Sequence, residues 1–452
     1  MKITYPAHAN VLVEGNGINF ACDPWLEGGF VNTCTVWMYP PRRISFKDVP
    51  PLDFIYISHE HADHSNPDTL VKMPKDLRIY IMKFRNNVLA NKLKDFGFEN
   101  VVTLDQGETH HINHNTQITI LCSEDNWIDS SAVIKHDGFT LYHGNDNFLS
   151  AETLAKIAQR FPIDMAFLPY AGFSGYPATY EFPDDLKKEF AERKKDKTMD
   201  IFFNAVTALN PKIAVPAAGD LALIGDDVAW MNWFDRCTPD EVVERAQNRG
   251  LGNIILPMRP GDAYIPEQGT FVKHPRRDEW GFNTEDVLRF GRQPYVLDAI
   301  KKYLSWEQDV QPSDLQREII EYFRAGLEKY RSSAEEVTTD EVGRYIFTLR
   351  ATGRFPAEVT VDFKTVTVRE GFDPDYTKKM IIDGAILNRV MRRDMLWSDA
   401  YASSRMTLDR RPPTYYNLAF WRWLYNLDEM DFYNLGKLRF ESMCICSPPG
   451  VQ

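Results

Sequence analysis

The chain has 452 residues, 44% hydrophobic and 26% charged, enough for two or three domains and a core that needs no staples. A formal net charge of −12 argues against a nucleic-acid binder, and no apolar run approaches the ~18 residues of a membrane span. Six scattered cysteines imply no disulfide framework and no signal-type apolar region opens the chain, so a reducing, cytoplasmic location is expected.

Residues 3–22 read as two strands, ITYPAHANVLVEG and INFACD, around the turn Gly15-Asn16-Gly17, because Asn-Gly between apolar runs favours a tight hairpin. Asp23 closes the second strand. LEGGFVNTCTVWMYPPRR has no period and is expected to form a loop over a pocket. LDFIYIS, residues 52–58, is a short apolar strand that runs straight into HEHADH. LRIYIM is another strand, followed by a helix, NNVLANKLKDFG, that closes at Gly97. VVTL, ETHHI and TQITILC form strands, which makes His110, His111 and His114 residues of a partly exposed hairpin. SAVIKHDGFTLYHGND predicts a further hairpin with His136 in a solvated turn, and Ser150 is set to cap a helix. IDMAFLP and KIAVPAA are strands; between them LKKEFAERKK and DIFFNAVTALN read as two helices.

Past residue 290 the pattern changes. Ser313 and Gln316 read as a capping box, and RYIFTLR and AEVTVDFKTVTVR alternate with period two. The Met and Trp residues of 390–425 fall at helical spacing, as core. Hairpins followed by alternating strands and helices predict two packed sheets with helices outside for residues 1–290. Residues 291–452 are expected to form a smaller α+β domain.

HEHADH places His59, His61, Asp63 and His64 within six positions at a strand end, where side chains are held rigidly yet exposed. Strand alternation puts His59 and His61 on one face, and a turn brings Asp63 and His64 to the same point. Imidazole and carboxylate suit borderline divalent metals, and two groups of donors allow a dinuclear site. The hexapeptide resembles the signature of the metallo-β-lactamase superfamily. That resemblance implies an αββα sandwich with two divalent metal ions at one edge and further ligands arriving in chain order. On this pattern Asp125 aligns with a ligand position where the family carries histidine, Asp146 with the bridging carboxylate, and Asp220 with the late ligand. Asp23 matches an outer carboxylate that orients a metal-bound imidazole or water. His143 is read either as core or as an outer hydrogen-bonding partner. His8 and Asp63 are the expected catalytic groups, and Arg259 in MRPGD is expected to receive a substrate phosphate or carboxylate.

ACDPWLEGGF, FLPYAGFSGYPATY, PMRPGDAY and LWSDAYASSRMTLDR are similar to blocks of the CMP-N-acetylneuraminate hydroxylases. This second resemblance implies an oxygenase acting on a small, anionic or nucleotide-linked metabolite. Carboxylate in place of imidazole makes the site harder, which favours iron over zinc, with manganese as a further alternative. Those hydroxylases draw electrons through a Rieske centre. No Cys-x-His pair occurs here, so a separate electron-transfer protein or an electron-supplying substrate is expected. The alternatives are a metal-dependent hydrolase of a phosphodiester, lactone or amide, and a non-catalytic binding relative.

Overall fold

The computed structural model describes residues 1–31, 33–122, 129–338 and 343–436. Alternating apolar strands build two sheets. The first has eight strands, in the order Thr270–Val272, Ala263–Ile265, Lys2–Ala7, Asn10–Gly15, Ile18–Cys22, Phe54–Tyr56, Arg78–Met82 and Val101–Leu104. The second has six: Ile213–Ala217, Met165–Pro169, Phe139–His143, Ser131–His136, Thr116–Leu121 and Thr109–His111. Every second residue of a strand faces the partner sheet. Ile3, Val13, Phe20 and Phe54 of the first sheet accordingly share one buried cluster with Ile118, Ile134, Leu141 and Phe167 of the second.

The residues between them cover the outer faces. Leu12, Ile55 and Ile79 pack on Leu70, Leu89 and Leu93 of the helices Pro67–Lys72 and Val88–Asp95. Val133, Ala166 and Leu168 pack on Leu154, Phe202 and Val206 of the helices Ala151–Arg160 and Asp184–Leu209. The result is the expected sandwich of two sheets between two helical layers.

Strand direction decides where function can sit. Lys2–Ala7, Ile18–Cys22 and Phe54–Tyr56 run the same way, since the first two both pair antiparallel with Asn10–Gly15 and the last pairs parallel with Ile18–Cys22. Phe139–His143, Met165–Pro169 and Ile213–Ala217 are parallel to one another, and Ser131–His136 runs against them. The loops at the carboxyl ends of these strands are therefore brought together along the edges of each sheet.

Several expectations change. Residues 3–22 form three strands, because the chain also turns at His8, whose φ of 56 is left-handed, and Ala7 pairs with Asn10. The expected loop after Asp23 is ordered: Phe30–Val31 and Val36–Met38 pair and join Leu221–Leu223, with Trp37 buried beneath. The two helices read at 186–210 are one, Asp184–Leu209, because no Pro or Gly interrupts the lysine-rich middle that faces solvent. His136 is buried, its Nδ1 2.9 Å from the Thr116 hydroxyl, because it is the last strand residue rather than part of the turn. At 313–316 the cap is Asp314, which accepts from the Arg317 amide at 3.1 Å, while Ser313 donates to Glu318. Ser150 caps its helix as read, accepting from the Thr153 amide at 3.2 Å. Ser150→Ala should lower stability by about 1 kcal/mol in denaturant unfolding.

The C-terminal region carries a five-stranded sheet, in the order Thr367–Glu370, Ala357–Asp362, Ile346–Thr352, Lys378–Asp383 and Thr407–Arg410. Met391, Met395, Trp397, Trp421 and Trp423 are buried in its core, as their spacing implied. That core continues across residue 290: Trp37, Tyr180 and Phe190 share a cluster with Phe323, Phe347 and Trp397. Among the described residues, no helix is long and apolar enough to cross a membrane.

Candidate metal centre

The site grows from the end of strand Phe54–Tyr56. Asp23, at the end of the neighbouring strand, is fully buried. Its Oδ1 accepts from the Ser58 amide at 2.7 Å, and its Oδ2 accepts from the Ser58 hydroxyl at 2.7 Å and from His64 Nδ1 at 2.8 Å. A carboxylate on Nδ1 fixes that proton and leaves Nε2 of His64 as a lone pair pointing inward. Asp23 thus ties the start of the HEHADH turn to the His64 ring.

The buried Nε2 atoms of His61 and His64 have no hydrogen-bond partner among the described residues. Buried ring nitrogens are normally satisfied, and two orphaned together fit a cation. Three sets of donors have ligand atoms within 4.8 Å of one another: His59, His61 and Asp129; His59, His64 and Asp146; and His8, Asp63 and His64. His64 Nε2 lies 3.5 Å from Asp146 Oδ2 and 3.7 Å from Asp63 Oδ2. His59 Nδ1 is 3.4 Å from Asp129 Oδ1, and His8 Nε2 is 3.1 Å from Asp63 Oδ2. Asp146 faces His64 in the set that also contains His59, and each of those histidines belongs to a second set.

The charges are mutually supporting. Burial, then the neighbouring His64 and His61, hold His59 well below the usual imidazole range. Burial works against the charge on Asp63, yet His64 and His8 hold its carboxyl below the ordinary carboxylate range. Burial likewise opposes charge on His64, but Asp63, Asp146 and Asp23 raise it well above normal.

Sequence reading missed two residues of this centre. Lys92 is buried, and its Nζ donates to the Glu60 carbonyl and the Ser65 hydroxyl, each at 2.8 Å. Ser65 in turn donates to the carbonyls of Glu60 at 2.8 Å and His61 at 3.0 Å, so Lys92 braces the turn that carries the ligands. Burial pushes its ammonium down to about 8. The signal was present: Val88, Leu89, Lys92 and Leu93 share one buried helix face. Asp399, from the C-terminal helix Trp397–Ala402, is buried and acts electrostatically on His61 and Lys92. No local pattern announces it.

Other expected residues land elsewhere. Asp125 lies outside the described residues; among the described residues, Asp129, a few positions on, reaches His59 and His61. Asp220 is not in any of the three sets. Its Oδ2 accepts from the Tyr5 hydroxyl at 2.7 Å and the His8 amide at 2.9 Å, so it anchors the turn that presents His8. His143 donates from Nε2 to the Ala9 carbonyl at 2.7 Å and packs edge-on against Tyr56, behind the site. Arg259 is committed to Asp240 at 2.9 Å and lies 3.7 Å from Asp278, which removes it as the receiver of a substrate anion. Arg259→Ala should leave substrate KM unchanged and cost at most about 1 kcal/mol, as exposed pairs do; steady-state kinetics and thermal unfolding check both.

Residues 19–180 match the family model described as a beta-lactamase superfamily domain. This stretch is similar to such a domain. Asp23, the HEHADH turn, Asp129 and Asp146 lie inside that stretch, while His8 precedes it and Asp220 and Asp399 follow it. Most of the chain is similar to longer proteins. It is 23% identical to a cytidine monophosphate-N-acetylneuraminic acid hydroxylase of Xenopus laevis over 450 residues, covering 93% of this chain and 71% of that one. It is 23% identical over 414 residues to a Mycolicibacterium smegmatis protein named for a Rieske 2Fe-2S iron–sulfur centre, covering 87% of this chain and 78% of that protein. The chain spans 60% of the length of a similarly named Mycobacterium tuberculosis relative. Among solved structures, CmlA, a diiron beta-hydroxylase from Streptomyces venezuelae, aligns with a TM-score of 0.43 at 21% identity, over 58% of this chain and 53% of CmlA.

Proposed function

We propose that the protein is a metal-dependent hydroxylase that inserts one oxygen atom into a small or nucleotide-linked metabolite, with electrons from a separate donor. The observation that carries this reading is the donor set. Asp63, Asp129 and Asp146 interleave with His8, His59, His61 and His64, and carboxylates among the imidazoles shift the preference toward iron relative to an all-histidine cage. The likeness to a hydroxylase over 93% of the chain, beyond residues 19–180, supports it. The likeness to proteins named for a Rieske centre supports an electron-transfer partner.

His59, His61 and Asp129 would hold one metal ion, and Asp63 and His64 the other, with Asp146 in reach of both His59 and His64. When bound, such a pair supplies a redox-active Lewis-acid centre for O2. The chain's own residues do the rest. Asp23 fixes the His64 ring, and Lys92 holds the turn. His8 Nε2 faces Asp63 Oδ2 at 3.1 Å and is placed to hold a proton there. Trp25, Met38, Ala62 and Leu221 form a buried apolar wall that limits water at this edge.

Elemental analysis of protein made in iron-replete cells, with O2 uptake measured under reducing conditions, tests the reading. About two equivalents of iron per chain and reductant-dependent O2 uptake are expected. Zinc alone, without O2 uptake, together with phosphodiester or lactone turnover that is indifferent to O2, would replace it by the hydrolase.

A further inference from the structure

We propose that Lys378 and Arg410 form an anion site that takes a phosphate or carboxylate group of the substrate, an inference that rests on the reading above of an enzyme acting on a small or nucleotide-linked metabolite. The two residues stand directly opposite each other on the antiparallel strands Lys378–Asp383 and Thr407–Arg410. Like charges at paired positions repel, and both side chains are buried, at 2% and 8% exposure. The next pair on the same strands, Lys379 and Asp409, has opposite signs and occupies the other face, where Lys379 also meets Glu181. One face of the ladder is therefore balanced in charge. On the other, neither cation has an ion-pair partner among the described residues.

Aromatic rings surround the pair instead. Lys378 Nζ donates to the Tyr180 hydroxyl at 3.0 Å and lies 4.6 Å above the Tyr180 ring and 5.0 Å from that of Trp421. The Arg410 guanidinium lies 4.8 Å from the Tyr176 ring and 5.5 Å from Tyr180, and its Nε donates to the Pro413 carbonyl at 2.7 Å. Burial, then Arg410, pushes the Lys378 ammonium well below its usual range. Buried charges are paired as a rule. An entering phosphate or carboxylate would accept the remaining N–H donors of both cations and offset their repulsion. Tyr416, which interacts electrostatically with Arg410, is 58% exposed and marks the side open to solvent.

Position ties this pair to the metal centre. The segment that supplies Tyr176 and Tyr180 follows strand Met165–Pro169, and its Phe173 packs on the cluster that contains Ala62 of the HEHADH turn. One loop thus packs on the apolar cluster that holds Ala62 and supplies aromatic rings to the cation pair. A substrate anchored there by its anionic end would lie along this loop with its other end toward the metals.

Calorimetric titration of the metal-loaded full chain with phenyl phosphate, benzoate and benzyl alcohol tests the assignment. At least one of the two anions should bind, the neutral alcohol should not, and the stronger anion names the group. Lys378→Met and Arg410→Gln should each weaken that binding at least about tenfold, the loss of a charge-assisted hydrogen bond. Failure of both anions to bind overturns the proposal. So does equal binding to both variants, which would place the anion on the metals. Should either variant not fold, hydrogen exchange on the unaltered protein decides: the bound anion should slow exchange in Lys378–Asp383 and Thr407–Arg410, and unchanged exchange there overturns the site. None of these measurements needs O2 or electrons, so their failure leaves the hydroxylase reading to its own test.

Discussion

A His64→Ala protein should lose metal affinity by more than about 100-fold, beyond the roughly 10–100-fold that the loss of an outer partner costs, and should lose turnover with it. His64 is the crossing point of the donor sets, since it belongs with Asp146 in one and with Asp63 and His8 in another. Removing its ring also leaves Asp23 buried without its imidazole, so carboxylates gather with less positive charge among them. The companion variant Asp23→Asn keeps every ligand. It removes only the charge that fixes the proton on His64 Nδ1, and should fall within the roughly 10–100-fold range. Competition for iron against a calibrated chelator, with circular dichroism as a check on folding, separates the two. Equal loss in both variants would mean that Asp23 acts as more than an orienting group. No loss in His64→Ala would remove the metal centre from this edge.

What could be read from the chain, and what could not, follows from how local each feature is. HEHADH is visible because six consecutive residues carry both the strand end and the donors. Asp23 is visible because it ends a strand beside it. The carboxylate of the 122–131 segment is a different matter. SEDNWIDSS offers three acids, of which Glu124 and Asp125 lie outside the described residues, and the fold places Asp129 in reach of His59 and His61. Asp220 and Arg259 failed as site residues for one reason: each found partners from distant segments, Tyr5 and the His8 amide for the one, Asp240 and Asp278 for the other. The turn at His8 lies in PAHAN, where Pro6 and Asn10 flank the one residue with a left-handed φ, and no Asn-Gly pair marks it. Asp399 was invisible because it reaches the centre across some 335 residues of chain, through packing alone.

That packing sets the second large effect. Trp397→Ala should lower stability by about 3–5 kcal/mol, the usual loss for a large buried aromatic. Trp397 is fully buried; its indole donates to the Tyr322 hydroxyl at 3.0 Å and its amide to Asp428 at 2.9 Å. It also starts the short helix that presents Asp399, so the same substitution reaches the metal turn. Loosening this helix withdraws a negative charge from beside Lys92 and His61, which leaves the lysine less well balanced against burial. Chemical denaturation should therefore show the loss in stability, while iron titration of the still-folded protein shows weaker loading. Asp399→Asn separates the two effects: its volume is unchanged, so the loss in stability should be smaller than in Trp397→Ala while loading still falls. If Trp397→Ala destabilises the protein but neither variant alters metal binding, the C-terminal region supports the centre only by covering it, and the electrostatic link from Asp399 to His61 has no functional weight.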